Sequence, residues 1–204
     1  MKKTFWNSLL FLVSLFCIPG LSFAQQVYTV QPGDSLWKIA VKYQVGISEI
    51  ISANPQFKNP DLIYPGEKVN IPDLSGVKSI ENQVVQLTNQ ERAKYGLKPL
   101  IQDWQLARVA RYKAADMRDN NYFSHTSPTY GDPFTMIKNF GISYSSAAEN
   151  IAAGQTTPQA VVQAWMNSPG HRANILSAQS TYIGCGFAQG GSYGYYWVQE
   201  FISK

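Results

Sequence analysis

The feature of this sequence that most limits its fold is a change of pattern near residue 73. Before it, residues 27–72 are dense in turn signals, including proline-containing turns at 54–55, 59–60 and 64–66. After it, apolar residues recur at helical spacing over longer stretches, and the C-terminal part is rich in β-branched and aromatic residues. Proline and glycine mark turns, whereas helical periodicity needs uninterrupted runs. The chain is therefore predicted to contain a small, turn-rich module followed by a larger domain.

Residues 1–24 have the pattern of a secretory signal peptide. A basic start is followed by a short apolar run, and small residues precede a predicted cleavage after Ala24. An uncleaved anchor helix is the main alternative, but the apolar run is short for a bilayer. A lipid anchor on Cys17 is less favoured because bulky Phe16 stands where lipoprotein signals need a small residue. We therefore expect a secreted protein without a stable membrane span.

Charge and cysteine content exclude some functional classes. Removal of Lys2 and Lys3 with the signal lowers the formal net charge from +4 to +2, and no basic run remains, so nucleic acid is not an expected partner. Cys17 also leaves with the signal, and Cys185 then has no partner for an internal disulfide. The secreted chain must therefore be stabilised by core packing.

The pattern of residues 27–72 predicts strand, helix, helix, strand. Apolar residues at helical spacing follow a turn that holds two capping candidates. The expected elements are a strand at 27–30, a helix from Leu36 that is capped by Asp34 or Ser35 and ended by Gly46, a second helix capped by Ser48, and a closing strand at 68–71. This core is close to the smallest that folds unaided.

This segment resembles a LysM module, the repeat that binds peptidoglycan and chitin. The resemblance rests on Tyr28-Thr29-Val30, residues 33–40, Asn54, residues 62–66 and Ile71-Pro72. In that family two loops form a shallow groove for N-acetylglucosamine chains. The resemblance implies that the glycan-binding residues here are Gly33, Asp34, Ser35, Leu36, Ile63, Tyr64, Pro65 and Gly66. Leu36 also fits a core position, and Pro65-Gly66 also fits a simple turn.

The second part of the chain is predicted to be an α+β domain. We expect a polar linker at 73–80 and a domain over 81–204. Helices come first and strands last, which favours helices packed on a sheet. The expected elements are a helix from Glu81 to Lys94, a helix capped by Asp103, a helix capped by Thr157 with Pro158 in its first turn, and a hairpin of 182–188 with 195–202.

The candidate chemistry lies in three short segments. The only two histidines, His125 and His171, each stand in a distinctive segment, and a third segment contains Glu149. Judged by spacing alone, lone histidines are more often structural than catalytic. The sequence contains no HExxH, CxxC or GxSxG motif.

These segments resemble the CAP superfamily of cysteine-rich secretory, antigen 5 and pathogenesis-related proteins. The resemblance covers roughly residues 81–201 and rests on Leu87-Thr88-Asn89, Glu91-Arg92, His125, Glu149-Asn150-Ile151, Trp165-Met166, residues 168–172, residues 183–186 and residues 196–199. It implies an α–β–α sandwich with a cleft in which two histidines and two acidic residues converge. His125, Glu149 and His171 occupy three of those positions.

The fourth position departs from many eukaryotic members, which have a glutamate where this chain has Ser168. No cofactor is required by this interpretation, although His125, His171 and Glu149 could hold a divalent metal such as zinc. A general base is less obvious without the second acid; Asp116, Asp119 and Glu91 are unplaced candidates. Arg172 and Asn174 are expected to be structural hydrogen bonders, and Cys185 a buried thiol.

Three functions remain open. We favour a wall-associated protein, largely non-enzymatic, that is anchored by the LysM module and binds a ligand or an envelope protein in the CAP cleft. A metal-assisted hydrolase of peptidoglycan that uses His125, Glu149 and His171 is the second. Lipid binding, known in some eukaryotic relatives, is the third, but no apolar groove is evident. The domain pairing resembles that of Gram-positive, often spore-forming, bacteria, which makes the cell wall or the spore surface the expected location.

Overall fold

The computed structural model describes residues 26–204. The predicted signal peptide, with its cleavage after Ala24 and with Cys17, lies outside the described residues. Within residues 26–204, no helix has the length and apolar character that crossing a bilayer requires.

The N-terminal module is the predicted βααβ unit. Strand β1 (Gln26–Thr29) pairs antiparallel with β2 (Lys68–Ile71), and helices α1 (Leu36–Tyr43) and α2 (Ile47–Ser52) lie between them in sequence. Apolar side chains from all four elements form one small core. The turn-rich segment thus folds around its own hydrophobic cluster.

The helix caps of this module differ in part from the predicted ones. Ser35 caps α1 by accepting a hydrogen bond from the Lys38 backbone N–H at 3.2 Å. The prediction that Gly46 ends α1 was wrong, because the helix ends at Tyr43 and it is Gln44 that takes the left-handed conformation. Gly46 instead precedes α2 as its N-cap, so the prediction that Ser48 caps that helix was also wrong.

Asn54 stabilises the centre of the module. This buried amide donates to the Ile50 carbonyl at 2.7 Å and to the Asn70 carbonyl at 2.8 Å, and its oxygen accepts from the Asn70 N–H at 2.8 Å. The loop after α2 is thereby fastened to the closing strand. A single side chain satisfies backbone groups that would otherwise be buried without partners.

The connection between the modules is mostly helical. Helix α3 (Ser75–Lys94) begins inside the segment that we predicted as a polar linker at 73–80. Leu74 packs against the N-terminal core, whereas Val77 and Ile80 pack against the C-terminal core. These apolar contacts explain why the segment continues as a helix, and the domain boundaries themselves stay a prediction.

The C-terminal domain is the predicted α+β sandwich around a mixed four-stranded sheet of order β3-β5-β6-β4. Strand β3 is parallel to β5, and the other neighbours are antiparallel. The Asp103 and Thr157 caps and the C-terminal hairpin are confirmed. The elements are β3 (Ile101–Gln102), α4 (Trp104–Asp119), α5 (Pro133–Asn139), β4 (Ser146–Ala153), α6 (Pro158–Asn167), α7 (Pro169–Ile175), β5 (Tyr182–Gln189) and β6 (Tyr195–Ser203).

The sheet has a different core on each face. On one face, Trp165 of α6 packs with α3 residues against Trp197 and Phe201 of β6. On the other face, α4 packs against alternate residues of the same strands, such as Val198 and Ile202. Alternation of side chains along each strand therefore assigns Glu200 to the α4 face.

Two glycines of β5 allow α4 to lie unusually close to the sheet. A Cβ atom at Gly184 would be 2.3 Å from the Ala107 backbone nitrogen, and one at Gly186 would be 2.1 Å from the Ala110 carbonyl carbon. Both neighbours are backbone atoms of α4, which cannot rotate away. The sandwich therefore depends on the absence of side chains at these two positions.

Candidate functional site

The candidate site is centred on a direct contact between His125 and Glu149. His125 lies in the loop between α4 and α5, and Glu149 lies in β4, between Ala148 and Asn150. His125 Nδ1 is 2.6 Å from Glu149 Oε1. The Glu149 side chain is buried, whereas that of His125 is 53% exposed. A buried carboxylate thus fixes the orientation of an imidazole that solvent and ligands can reach.

The loop that carries His125 is held by two groups of α4. Lys113, which is fully buried, donates a hydrogen bond from Nζ to the His125 carbonyl. Asp116 accepts hydrogen bonds from the hydroxyls of Ser127 and Tyr122 at 2.6 Å each. The loop geometry is therefore determined by buried polar contacts with the helix.

Asp116, one of the candidates for the missing base, is engaged by hydrogen bonds to its neighbours. Burial tends to raise the pKa of its carboxyl, but hydrogen bonds from Ser127, Thr129, Tyr122 and Asn120 outweigh burial, and the pKa is lowered. The carboxylate is therefore occupied by structural contacts. The other two candidates are engaged in ion pairs, Asp119 with Arg118 at 2.6 Å and Glu91 with Lys94 at 2.6 Å.

A second buried glutamate, Glu200 of β6, lies directly opposite Glu149 in the strand register. No hydrogen-bond partner within the described part of the chain reaches either carboxyl oxygen of Glu200 or the Oε2 of Glu149. Burial, followed by repulsion from Glu149, raises the pKa of Glu200 well above its usual range, and Lys113 opposes this rise. Burial and the neighbouring acid therefore favour the protonated form of Glu200.

Helix α7 carries His171, which lies near His125. The His171 backbone carbonyl accepts a hydrogen bond from Asn150 Nδ2 at 3.1 Å, and Asn174 Nδ2 donates to Asn150 Oδ1 at 2.8 Å. Burial and the neighbouring His125 lower the pKa of His171. Asn174 is thus a structural hydrogen bonder, as we expected, and it links α7 to the strand that carries Glu149.

A cavity of about 460 Å³ opens beside the His125–Glu149 pair. His125, Glu149 and Asn174 line it together with Asp132 and the half-exposed Phe134. Its size is in the range of small-ligand sites. The two further residues that we placed in the cleft, His171 and Ser168, are not among its lining residues. Ser168 instead joins α6 to α7, as the C-cap of one and the N-cap of the other.

The described residues do not form a ready metal site. Across residues 26–204, no three His, Cys, Asp or Glu side chains are close enough together to hold a metal ion. His125 Nδ1 is already engaged by Glu149, which leaves Nε2 as the free nitrogen of that ring. The donor set His125, His171 and Glu149 therefore does not fit a preformed three-ligand centre.

The two LysM loops that we predicted to bind glycan lie at the surface. Asp34 accepts from Tyr28 Oη at 2.7 Å and from the Gln31 N–H at 2.8 Å, which shapes the first loop. These hydrogen bonds lower the pKa of Asp34. In the second loop Tyr64 is 57% exposed, whereas Leu36 in the first is buried and belongs to the core.

Sequence reasoning missed Glu200 and Lys113. Both have ionisable side chains, and both are completely buried in the layer between α4 and the sheet. Glu200 stands within an almost continuous apolar run that forms a central strand, which is a detectable signal for a buried charge. Lys113 occurs in an alanine-rich helix among other basic residues, where nothing distinguishes it.

Family comparison agrees with this fold. Residues 85–201, more than half of the chain, match the cysteine-rich secretory protein family, CAP. The chain belongs to the CAP family. In addition, residues 28–72 match the LysM domain, so the protein combines a LysM module with a CAP domain.

Several relatives share parts of this LysM–CAP protein. The uncharacterized protein YkwD of Bacillus subtilis (strain 168) is 58% identical over 130 residues, which cover 64% of this chain and 49% of YkwD. The SpoIVD-associated factor A of the same organism is 53% identical over 47 residues, or 23% of this chain and 12% of that protein. This chain thus spans about half the length of YkwD.

Among solved structures, an extracellular protein with an SCP domain from Bacillus anthracis str. Ames matches the CAP fold. The sequence identity is 36% and the TM-score is 0.58, and the match covers 69% of this chain and 47% of that one. The fold of the CAP domain is therefore shared with a bacterial relative that is described as extracellular.

Proposed function

We propose that this protein is exported and associated with the cell wall, with a LysM module that binds N-acetylglucosamine-containing glycan and a CAP cavity that binds a ligand or an envelope protein. The LysM match and the exposed loops support the first part. The described extracellular location of the Bacillus anthracis relative supports export. A short match, 48% identical over 50 residues, to the spore coat assembly protein ExsA of Bacillus cereus supports a place in the spore envelope.

The observation that carries the CAP part of the proposal is the His125–Glu149 contact beside the cavity. The imidazole is fixed on one side by a buried carboxylate and open to solvent on the other, so it offers Nε2 to a ligand. Asp132 and Phe134 add a charge and an exposed ring to the same cavity. This arrangement favours recognition of a ligand that has both a polar and an apolar group.

Glycan binding is tested by sedimentation with purified peptidoglycan. The wild-type protein should pellet with the wall material, and Tyr64→Ala should weaken this by several fold. Tyr95→Ala is a matched control, because Tyr95 is also 57% exposed but lies in the CAP domain. Equal sedimentation of all three proteins would contradict the assignment of the second LysM loop to the glycan.

A peptidoglycan hydrolase is the second candidate, and one observation favours it. A histidine that binds a metal commonly has a carboxylate on its other ring nitrogen, as His125 has in Glu149. Mass spectrometry of the soluble fraction, after incubation with peptidoglycan and zinc, separates the two candidates. Fragments that wild type releases and His125→Ala does not would establish hydrolysis. An absence of fragments while the protein sediments with the wall would support the binding role.

A further inference from the structure

Helix α4 contains a buried arginine whose charge has no partner of opposite sign. Arg108 is only 6% exposed, and it takes part in none of the ion pairs formed within residues 26–204. Among the described residues its Nε has no hydrogen-bond partner, and the guanidinium makes one long hydrogen bond, of 3.5 Å, to the Phe140 carbonyl. Buried guanidinium groups normally satisfy their donors.

Two other arginines of the same domain show how such groups are usually satisfied here. Arg92, also buried, donates to three backbone carbonyls at 2.7 to 3.0 Å. Arg111 forms a two-pronged ion pair with Glu81 at 2.8 and 2.5 Å. Arg108 therefore stands apart, and its free donor capacity indicates a missing anionic partner.

Arg108 lines a cavity of about 520 Å³ that lies between the LysM module and the CAP domain. Trp37 and Ser48 contribute to the cavity from the LysM side, and Tyr112 and Phe140 contribute from the CAP side. The guanidinium carbon is 5.8 Å from the centre of the Trp37 ring and 5.2 Å from that of Phe140. Aromatic faces beside a cation suit a ring-shaped ligand that carries a negative charge.

The position of this cavity relates it to the predicted glycan loops. Trp37 directly follows Leu36, the last residue of the first loop, and it is 46% exposed. The nearby carboxylate of Glu49 is engaged by the hydroxyl of Tyr112 and does not pair with Arg108. A glycan held by the loops could therefore continue past Trp37 toward the guanidinium.

We propose that the cavity between the two domains is a second glycan subsite, in which Arg108 binds a carboxylate of the wall polymer and Trp37 contacts the sugar that carries it. This inference rests on the proposed function of the LysM module. The ligand is an N-acetylated amino sugar with an acidic substituent, as opposed to an uncharged chitin-like chain. The two domains together would thus distinguish chitin from a wall glycan whose muramic acid carboxylates are free.

The test compares two soluble oligosaccharides of equal length by calorimetry with the purified protein. One is chitohexaose, and the other alternates N-acetylglucosamine with N-acetylmuramic acid. Arg108→Met should weaken binding of the acidic oligosaccharide about tenfold, the value of one charge-assisted hydrogen bond, and change chitohexaose binding less than twofold. Arg118→Met is the matched control, since it removes the same charge from the same helix, where Arg118 pairs with Asp119.

Chemical reduction of the carboxyl groups provides a check without any mutation. The wild-type protein should bind the reduced oligosaccharide about tenfold more weakly than the acidic one. Equal affinity of the wild-type protein for the acidic and the reduced oligosaccharide would overturn the second subsite. An equal effect of Arg108→Met on binding of the acidic oligosaccharide and of chitohexaose would overturn it as well. If the wild-type protein bound neither the acidic oligosaccharide nor chitohexaose, the proposed LysM function itself would be overturned. Failure of the subsite and failure of the LysM function are therefore distinguishable.

Discussion

Glu149 and Glu200 face each other across two hydrogen-bonded strands, and both side chains are buried. Two carboxylates at such a position cannot both ionise without strong repulsion. Glu149 contacts His125, whereas Glu200 has no hydrogen-bond partner within residues 26–204. One acid therefore orients the histidine, and burial beside it favours the protonated form of the other.

Replacement of Glu200 tests this arrangement through the pH dependence of stability. Burial raises the pKa of Glu200 in the folded protein, whereas in the unfolded chain this glutamate has a pKa of about 4.3. Above that pH the unfolded chain releases a proton that the folded protein still holds. The contribution of Glu200 to the free energy of unfolding therefore falls as the pH rises. Glu200→Gln has no proton to lose, so its stability relative to wild type should increase between pH 4 and 7, by about 1 kcal/mol or more. Urea denaturation measures this difference.

Glu91→Gln is the control for that experiment, because Glu91 is in an ion pair near the surface with Lys94. Its difference from wild type should remain within about 0.5 kcal/mol over the same pH range. A Glu200→Gln difference that did not vary with pH would show that Glu200 is ionised in the folded protein.

Glu149→Ala should change the tautomer of the neutral His125 ring. With the carboxylate at 2.6 Å, the proton of a neutral ring is expected on Nδ1. Without it, the ring should lose this preference, which nitrogen-15 NMR of the imidazole detects. His171 serves as an internal control, because its imidazole has no hydrogen bond to Glu149 and its signals should shift far less. An unchanged His125 spectrum would mean that the contact does not persist in solution.

Gly186→Ala should destabilise the CAP domain severely, by about 3 kcal/mol or more, because the new Cβ would overlap backbone atoms of α4. Gly76→Ala is the matched control. Gly76 lies in α3, and a Cβ atom there meets nothing within 4 Å. It should leave stability unchanged or raise it by up to about 1 kcal/mol. Equal thermal unfolding temperatures for the two variants would refute the close approach.

Asn54→Ala should destabilise the LysM module by about 2 kcal/mol, because it removes three hydrogen bonds to backbone groups and leaves the Asn70 N–H unpaired. Asn59→Ala, at an exposed position whose side chain accepts only from the Asp61 N–H, should cost less than about 1 kcal/mol. Hydrogen exchange at the β2 amides distinguishes the two, since opening of the module should become faster only in Asn54→Ala.

Local sequence signals were sufficient to predict an element where its own residues determine its geometry. The Asp103 side chain accepts from the N–H groups of Gln105 and Leu106, as a capping residue should. The hairpin of β5 and β6 also followed from its own residues. In contrast, β4 is rich in alanine, which has a low strand propensity, and it is a strand because β6 pairs with it. Only tertiary structure could reveal it.

The two residues at the centre of the candidate site could be predicted from the sequence, but their surroundings could not. His125 and Glu149 stood out by residue type and by family resemblance, and they do meet. The partnership with Glu200 depends on the register between β4 and β6, which sequence spacing does not encode. The charge of Lys113 could likewise be placed only when the packing of α4 on the sheet was known.

Helix α3 connects the LysM module to the CAP domain. It contains 20 residues, and at about 1.5 Å per residue it is a rod of roughly 30 Å. Since a helix transmits rotation as well as distance, one residue inserted near its start would swing the LysM module by about 100° around the CAP domain. The direction in which the proposed glycan would run past the His125 cavity therefore depends on the length of this helix, together with contacts between the domains such as that of Tyr112 with Glu49.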